Sequence, residues 1–366
     1  MMKKLMSAIL AALMLLSFAG CGGTESTDTV SEAKKIDYAG MTADDLLKDI
    51  KDQQNVTLEE FTDLVSTYAY VNITDDMNLE DNITSEAINK LKENKAKLPS
   101  PKEYVAPLLK SEAPQVRGYA VSCVSSVMGV DESCKAAVKE LIKNESDPYV
   151  ICCALDALAN EGGKDAEIGK FIIDAAKNEN AKVRRRAALA IGNSTNKTLD
   201  GAVDAMISLM DDSDNEVRKV AYQYSDMLED DRVVEPIVKL LKNEADSELH
   251  GSGIEGLVRL WYDYPQHKNT SEAAYRATMD YLRNEPGNDK VPYWTAIGSF
   301  ASKNEKNYDA WREKATYFNP DEIMQVMTNI VKNTNLNKLA RVYTSREIAS
   351  IARESSLRLL EKLLTV

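Results

Sequence analysis

Five segments of the chain fall into register when placed beneath one another: "EAPQVRGYAVSCV", "SDPYVICCALDAL", "ENAKVRRRAALAI", "SDNEVRKVAYQYS" and "ADSELHGSGIEGL". Their shared apolar position is Val116, Val150, Val183, Val217 and Leu249, at separations of 34, 33, 34 and 32 residues. Four places later stands a small residue (Ala120, Ala154, Ala187, Ala221, Gly253), and eight places earlier an apolar one (Leu108, Ile142, Ala175, Leu209, Leu241). A period of this length constrains the fold more than any other property of the sequence. Each copy is one supersecondary unit that cannot bury its apolar face alone, so successive copies must stack into a continuous core.

Each copy holds two amphipathic helical stretches. In the fourth, Val203, Ile207 and Met210 mark a first helix, "DDSDNE" turns the chain, and Val217, Ala221 and Leu228 mark a second. Asp147, Asn180, Asp214 and Asp246 stand three places before their anchors, where a side-chain oxygen can cap the second helix. The pattern predicts an all-α protein, an α-solenoid of stacked antiparallel helix pairs forming an armadillo-type superhelix.

The repeat resembles the HEAT family, in its short bacterial form known from phycobilisome lyases. In that family an acidic turn residue and an arginine one place after the anchor pair within and between repeats. The resemblance implies a structural ladder of Asp147, Asp214 and Asp246 with Arg117, Arg184 and Arg218. Ile151 and His250 interrupt its basic side, Ala113 and Asn180 its acidic side. It places Arg184 of the run Arg184-Arg185-Arg186 in the framework. Arg185 and Arg186 fall on or beside the exposed face of the second helix.

The N-terminus has a different character. Lys3 and Lys4 precede an apolar run, Leu5 to Leu16, too short for a comfortable membrane span, and Ala19-Gly20 lead to Cys21. Residues 1–20 thus have the pattern of a secretory signal. The stretch "SFAGCGG" also resembles a bacterial lipobox, which implies cleavage after residue 20, lipid attachment on Cys21 and a place on the extracytoplasmic face of a bacterial membrane. Residues 21–40, rich in Gly, Ser, Thr and charge, read as a flexible tether. The formal net charge of −13 argues against non-specific nucleic-acid binding.

Residues 41–98 read as an N-terminal helical cap, with capping boxes at Thr42 and Thr57, and residues 99–262 as five repeats opened by "SPKE" at Ser100. Residues 263–366 read as degenerate helical repeats and a C-terminal cap, with helix starts at Asn319 and Thr344. Half of the 5 Phe, 3 Trp and 16 Tyr lie between positions 261 and 318. Trp261, Tyr262, Tyr264, Tyr293 and Trp294 are the densest part and form a candidate aromatic platform, with core packing as the plainer reading.

Catalytic chemistry is hard to place. The two histidines, His250 and His267, stand in no metal-ligand spacing, and no nucleophile elbow or Walker loop occurs. "GSGIEG" at 251–256 mimics a dinucleotide loop but follows no strand. Cys123 and Cys152 fall in adjacent second helices, which leaves either one bridge between repeats or buried free thiols. The expectation is a lipid-anchored, non-catalytic scaffold without metal or cofactor, binding a protein or peptide on a concave second-helix surface. Positions two, six and ten places after the anchor mark that surface: Arg185, Lys219, Gln223, Glu255 and Arg259. The alternative is a cell-envelope glycan or peptide bound by the aromatic C-terminal third.

Overall fold

The structure is a computed structural model that describes residues 41–68, 76–77, 83–124, 132–243, 249–262, 267–284, 308–336, 338–339, 341–342, 344–346 and 348. The architecture is all-α, and among the described residues the only extended pairing is an isolated bridge between Asn55 and Lys97. No described helix is long and apolar enough to cross a membrane. Contacts divide the described residues into two compact units, with the boundary between Cys134 and Lys135.

The first unit contains α1 (Ala43–Leu47), α2 (Leu58–Tyr68), α3 (Ile83–Glu93), α4 (Pro101–Leu108) and α5 (Pro114–Ser122). Local chemistry sets its helix starts. Thr42 N–H donates to Asp45 at 2.9 Å, and Asp45 N–H returns a bond to the Thr42 hydroxyl at 3.3 Å. Thr57 and Glu60 repeat that reciprocal pair at 2.9 and 3.2 Å. Each box satisfies two N–H groups that a helix start would otherwise leave without partners. Ser100 N–H donates to Glu103 at 2.7 Å, and Pro101 occupies the first helical position. Phe61 of α2 meets Tyr104 of α4 with ring centroids 4.4 Å apart, so the helices of residues 41–98 share a core with the first repeat.

Helix α6 (Glu132–Asn144) begins at the end of the first unit and lies mostly in the second. The second helices of the repeats that follow are α7 (Pro148–Leu158), α9 (Ala181–Ile191), α11 (Asn215–Tyr224) and α13 (His250–Tyr262). The first helices beyond α6 are α8 (Ala166–Ala175), α10 (Ala202–Met210) and α12 (Val234–Leu241). Second helices pack side by side, α7 on α9, α9 on α11 and α11 on α13. First helices α8, α10 and α12 lie against the second helix of their own repeat. Anchors Val150, Val183, Val217 and Leu249 are buried, as are Ala154, Ala187 and Ala221. Removing each anchor valine from water contributes about 1.5–3 kcal/mol.

The small residue is a packing requirement. A Cβ on Gly253 would come within 2.9 Å of Leu240 and 3.3 Å of Ile237 on α12. One on Gly256 would come within 2.8 Å of the Tyr222 carbonyl on α11. "GSGIEG" is therefore a close helix contact inside α13.

Beyond the repeats come α14 (Glu272–Asn284), α15 (Tyr308–Lys314) and α16 (Pro320–Lys332), with α14 packed on α13 and α16. Asn319 starts α16, accepting from the N–H groups of Asp321 at 3.0 Å and Glu322 at 3.4 Å. Thr344 is not a helix start. Residues 338–339 and 341–342 are already helical before it, and it is buried. The chain turns earlier, at Asn333, whose side chain accepts from Asn335 N–H at 3.0 Å.

Candidate functional site

The turn between the two helices of a repeat is built from three positions. Asp147 caps its helix through the N–H groups of Tyr149 (3.0 Å) and Val150 (3.3 Å). Asp214 does the same for Glu216 (2.9 Å) and Val217 (3.1 Å), and Asn180 for Lys182 (2.9 Å). Two places earlier, an oxygen of Ser111, Glu145, Asn178 or Asp212 accepts from the N–H of the cap residue at 2.9–3.3 Å. The arginine after the anchor then closes the turn. Arg117 donates to the carbonyls of Ser111 and Glu112, both at 2.9 Å. Arg184 donates to those of Asn178 and Glu179, both at 2.9 Å, and Arg218 to that of Asp212 at 2.7 Å.

The rung between repeats differs from the expected ladder. Arg184 donates from Nε to Asp212 Oδ2 at 2.7 Å and from Nη2 to Oδ1 at 2.8 Å, across to the next repeat. The acid of this rung is Asp212, not Asp214. The carboxylate three places before the anchor turns into its own helix N-terminus, and the one five places before faces the arginine of the preceding repeat. Asp246 lies outside the described residues. The Arg184 and Asp212 side chains are 15% and 9% exposed. Burial works against the charged carboxylate, but the Arg184 guanidinium and the Asp214 N–H hold Asp212 below the usual carboxylate range. The same pairing raises Arg184.

Arg186 reaches the other way. Its Nη1 lies 3.0 Å from Asp156 Oδ2 on α7, in the preceding repeat. The arginine run thus ties α9 forward through Arg184 and back through Arg186, with half-buried Arg185 between them. On the same row Lys219 is exposed, 3.9 Å from Glu216 one turn away. Gln223 is half-buried, and Glu255 pairs with Arg259 along α13. The candidate face therefore runs over adjacent helices, with Arg185 and Lys219 on its two middle members.

The aromatic platform is a different object. Trp261 is fully buried, donates its indole N–H to the Thr278 hydroxyl at 3.1 Å, and meets Tyr275 edge-on at 5.1 Å. Trp311 donates to the Trp261 carbonyl at 2.7 Å, and Phe318 packs edge-on against Trp311 at 4.7 Å. Trp261 therefore belongs to the core joining α13, α14 and α15, because a ring that large with its N–H satisfied is most stable there. Tyr262 is half-buried against Trp311 at 4.9 Å. Tyr264, Tyr293 and Trp294 lie outside the described residues, as does Cys21.

Two buried polar groups escape a reading by motif. Asn196 donates to the carbonyls of Ala159 and Ala190, both at 2.7 Å, and accepts from Gly163 N–H at 2.9 Å. It joins the loops that follow α7 and α9. His267 Nε2 lies 2.9 Å from Asp226 Oδ2, with the two side chains 3% and 0% exposed. This pair ties the end of the fourth repeat to the segment entering α14. Neither stands in a recognisable spacing.

Cys123, Cys134, Cys152 and Cys153 are thiols, none of them joined in a disulfide. Burial pushes Cys152 up to about 12 and raises Cys123 as well, which makes both poor nucleophiles. Among the described residues no group of three His, Cys, Asp or Glu side chains could hold a metal ion.

Residues 169–257 match HEAT repeats. The matched span runs from α8 to α13 and contains both ends of the rung between Arg184 and Asp212. No curated protein matches the chain. Among solved structures, the crystal structure of one engineered protein overlaps at 16% identity and TM-score 0.42, covering 80% of this chain and 79% of its own. Two further engineered proteins overlap at 15% identity and TM-score 0.31 (70% of this chain, 98% of that one) and at 13% and 0.35 (69% and 99%). These overlaps are loose.

Proposed function

We propose that the chain is a lipoprotein, held by lipid on Cys21 at the extracytoplasmic face of a bacterial membrane. Its HEAT-like repeats serve there as a non-catalytic scaffold for a protein or peptide partner. The observation that carries the scaffold reading is the row of second helices. They pack side by side and present Arg185, Lys219, Gln223, Glu255 and Arg259 at positions the core does not use. Stacked repeats suit this work because they offer one extended surface on a framework held by neighbour-to-neighbour contacts. The lipobox-like "SFAGCGG" supports the anchor, and several acyl chains give stable attachment at about 0.8 kcal/mol per buried CH₂. Trp261 lies in the core, and no observation favours the glycan alternative.

Two measurements test the halves separately. Labelled palmitate should enter the wild-type chain in bacteria and not Cys21→Ala; equal labelling of both would overturn the anchor. Full-length protein, captured from a detergent-solubilised envelope fraction, should retain a recurring protein that Arg185→Glu/Lys219→Glu loses. Retention of the same protein by both would overturn the surface.

A further inference from the structure

We propose that the connection between α3 and α4 docks on the anionic surface of the bilayer that holds the chain, through Lys92, Lys95, Lys97 and Lys102. This rests on the lipid-anchor reading and adds to it an electrostatic contact that orients the first unit. Between residues 92 and 102 the chain carries four lysines and one acid, Glu93, in a molecule of net charge −13. All four lysines are exposed, and none takes part in an ion pair among the described residues. Lys90, by contrast, lies 3.1 Å from Asp44 of α1.

The backbone gathers these lysines. Beyond Glu93 the chain reverses through Lys95 at φ 59°, and Ala96 N–H donates to the Leu91 carbonyl at 2.9 Å. Such a left-handed position favours glycine, so the turn itself does not ask for a lysine. Lys102 stands in the first turn of α4, where the helix dipole favours acids. Lys97 pairs with the segment leading into α2. Its N–H donates to the Gln54 carbonyl at 2.8 Å, and its carbonyl accepts from Val56 N–H at 3.0 Å. Two places beyond Val56, Leu58 is 42% exposed, an apolar side chain suited to enter the headgroup region beside basic residues. The carboxylates of the adjoining helix starts are engaged locally, Glu60 with Thr57 and Glu103 with Ser100.

Twenty residues separate Cys21 from Met41, a length of about 70 Å when fully extended. A lipid on Cys21 therefore keeps the first unit near the bilayer, although the chain as a whole is acidic. Anionic headgroups act on charges within a Debye length, about 8 Å at physiological salt. They attract this stretch and repel the acidic remainder, which turns the lysines toward the lipid.

Amine labelling of the full-length, lipid-bearing protein on vesicles tests this, read lysine by lysine by mass spectrometry. Vesicles of phosphatidylcholine alone are compared with vesicles holding about 30% phosphatidylglycerol. Labelling at Lys92, Lys95, Lys97 and Lys102 should fall about fivefold on the anionic vesicles, and recover as salt rises to about 0.5 M. In Lys92→Glu/Lys95→Glu/Lys97→Glu, Lys102 should label equally on both vesicles. Lys92→Gln/Lys95→Gln/Lys97→Gln provides the same comparison should the reversal fail to fold. Equal labelling of the wild-type lysines on the two vesicles, or protection of Lys102 that the triple variant keeps, would overturn the contact. Flotation of the same samples reads the anchor separately. Protein that floats with neutral vesicles but shows no protection on anionic ones keeps the anchor and loses this contact. Protein that floats with the anionic vesicles alone keeps the contact and loses the anchor, and protein that floats with neither overturns both.

Discussion

Arg184 and Asp212 face each other across two successive repeat turns, joined by paired hydrogen bonds of 2.7 and 2.8 Å. Each also serves its own turn, Arg184 through the carbonyls of Asn178 and Glu179 and Asp212 through the N–H of Asp214. One guanidinium therefore fixes the geometry of its turn and the spacing to the next. Removing it leaves a largely buried carboxylate and two carbonyls without their donor.

Arg184→Gln is expected to lower unfolding stability by about 2–4 kcal/mol, read as a shift in urea midpoint. Asp212→Asn should cost a similar amount. The double variant should cost less than the sum, with a coupling of about 1–3 kcal/mol. Strict additivity would mean that the rung contributes nothing of its own.

The same pair sets a pH dependence. The Asp212 carboxyl is held below its unfolded value, so its contribution is complete above that value and is lost as pH falls through the folded one. Stability should therefore drop as pH falls below about 4, and Asp212→Asn should flatten that slope. An identical acid profile in the variant would contradict the assignment.

How the sequence leads to this rung shows what a repeat pattern can disclose. Anchors, alanines and caps were legible because each obeys local spacing, and the structure places Val183, Ala187 and Asn180 accordingly. The partner of Arg184 was not. Both Asp212 and Asp214 lie in one acidic turn, and only the direction of the capping bond decides which carboxylate remains to face the preceding repeat. Trp261 was ambiguous for a similar reason, since an aromatic cluster reads alike in a core and on a surface.

Asn196 shows how much a single buried amide can carry. Asn196→Ala removes two donors and one acceptor between the loops after α7 and α9, and should cost about 2–3 kcal/mol in the same urea assay. A change under about 0.5 kcal/mol would mean that water replaces the amide.

The Asp226–His267 pair predicts a local effect. His267→Ala leaves a buried oxygen of Asp226 without this partner, at a cost of about 1–3 kcal/mol. Hydrogen exchange should quicken first at the start of α14, where the Ser271 hydroxyl caps the helix through Ala274 N–H. Uniform loss of protection across all repeats would place the pair's influence elsewhere.

The most direct test asks whether neighbouring arginines divide their labour. Full-length Arg184→Gln and Arg185→Glu/Lys219→Glu should be compared with wild type in envelope capture and urea unfolding together. The second variant should lose the recurring partner while its midpoint stays at the wild-type value, and the first should lose stability. Partner capture unaffected by Arg185→Glu/Lys219→Glu, in a protein as stable as wild type, would contradict it.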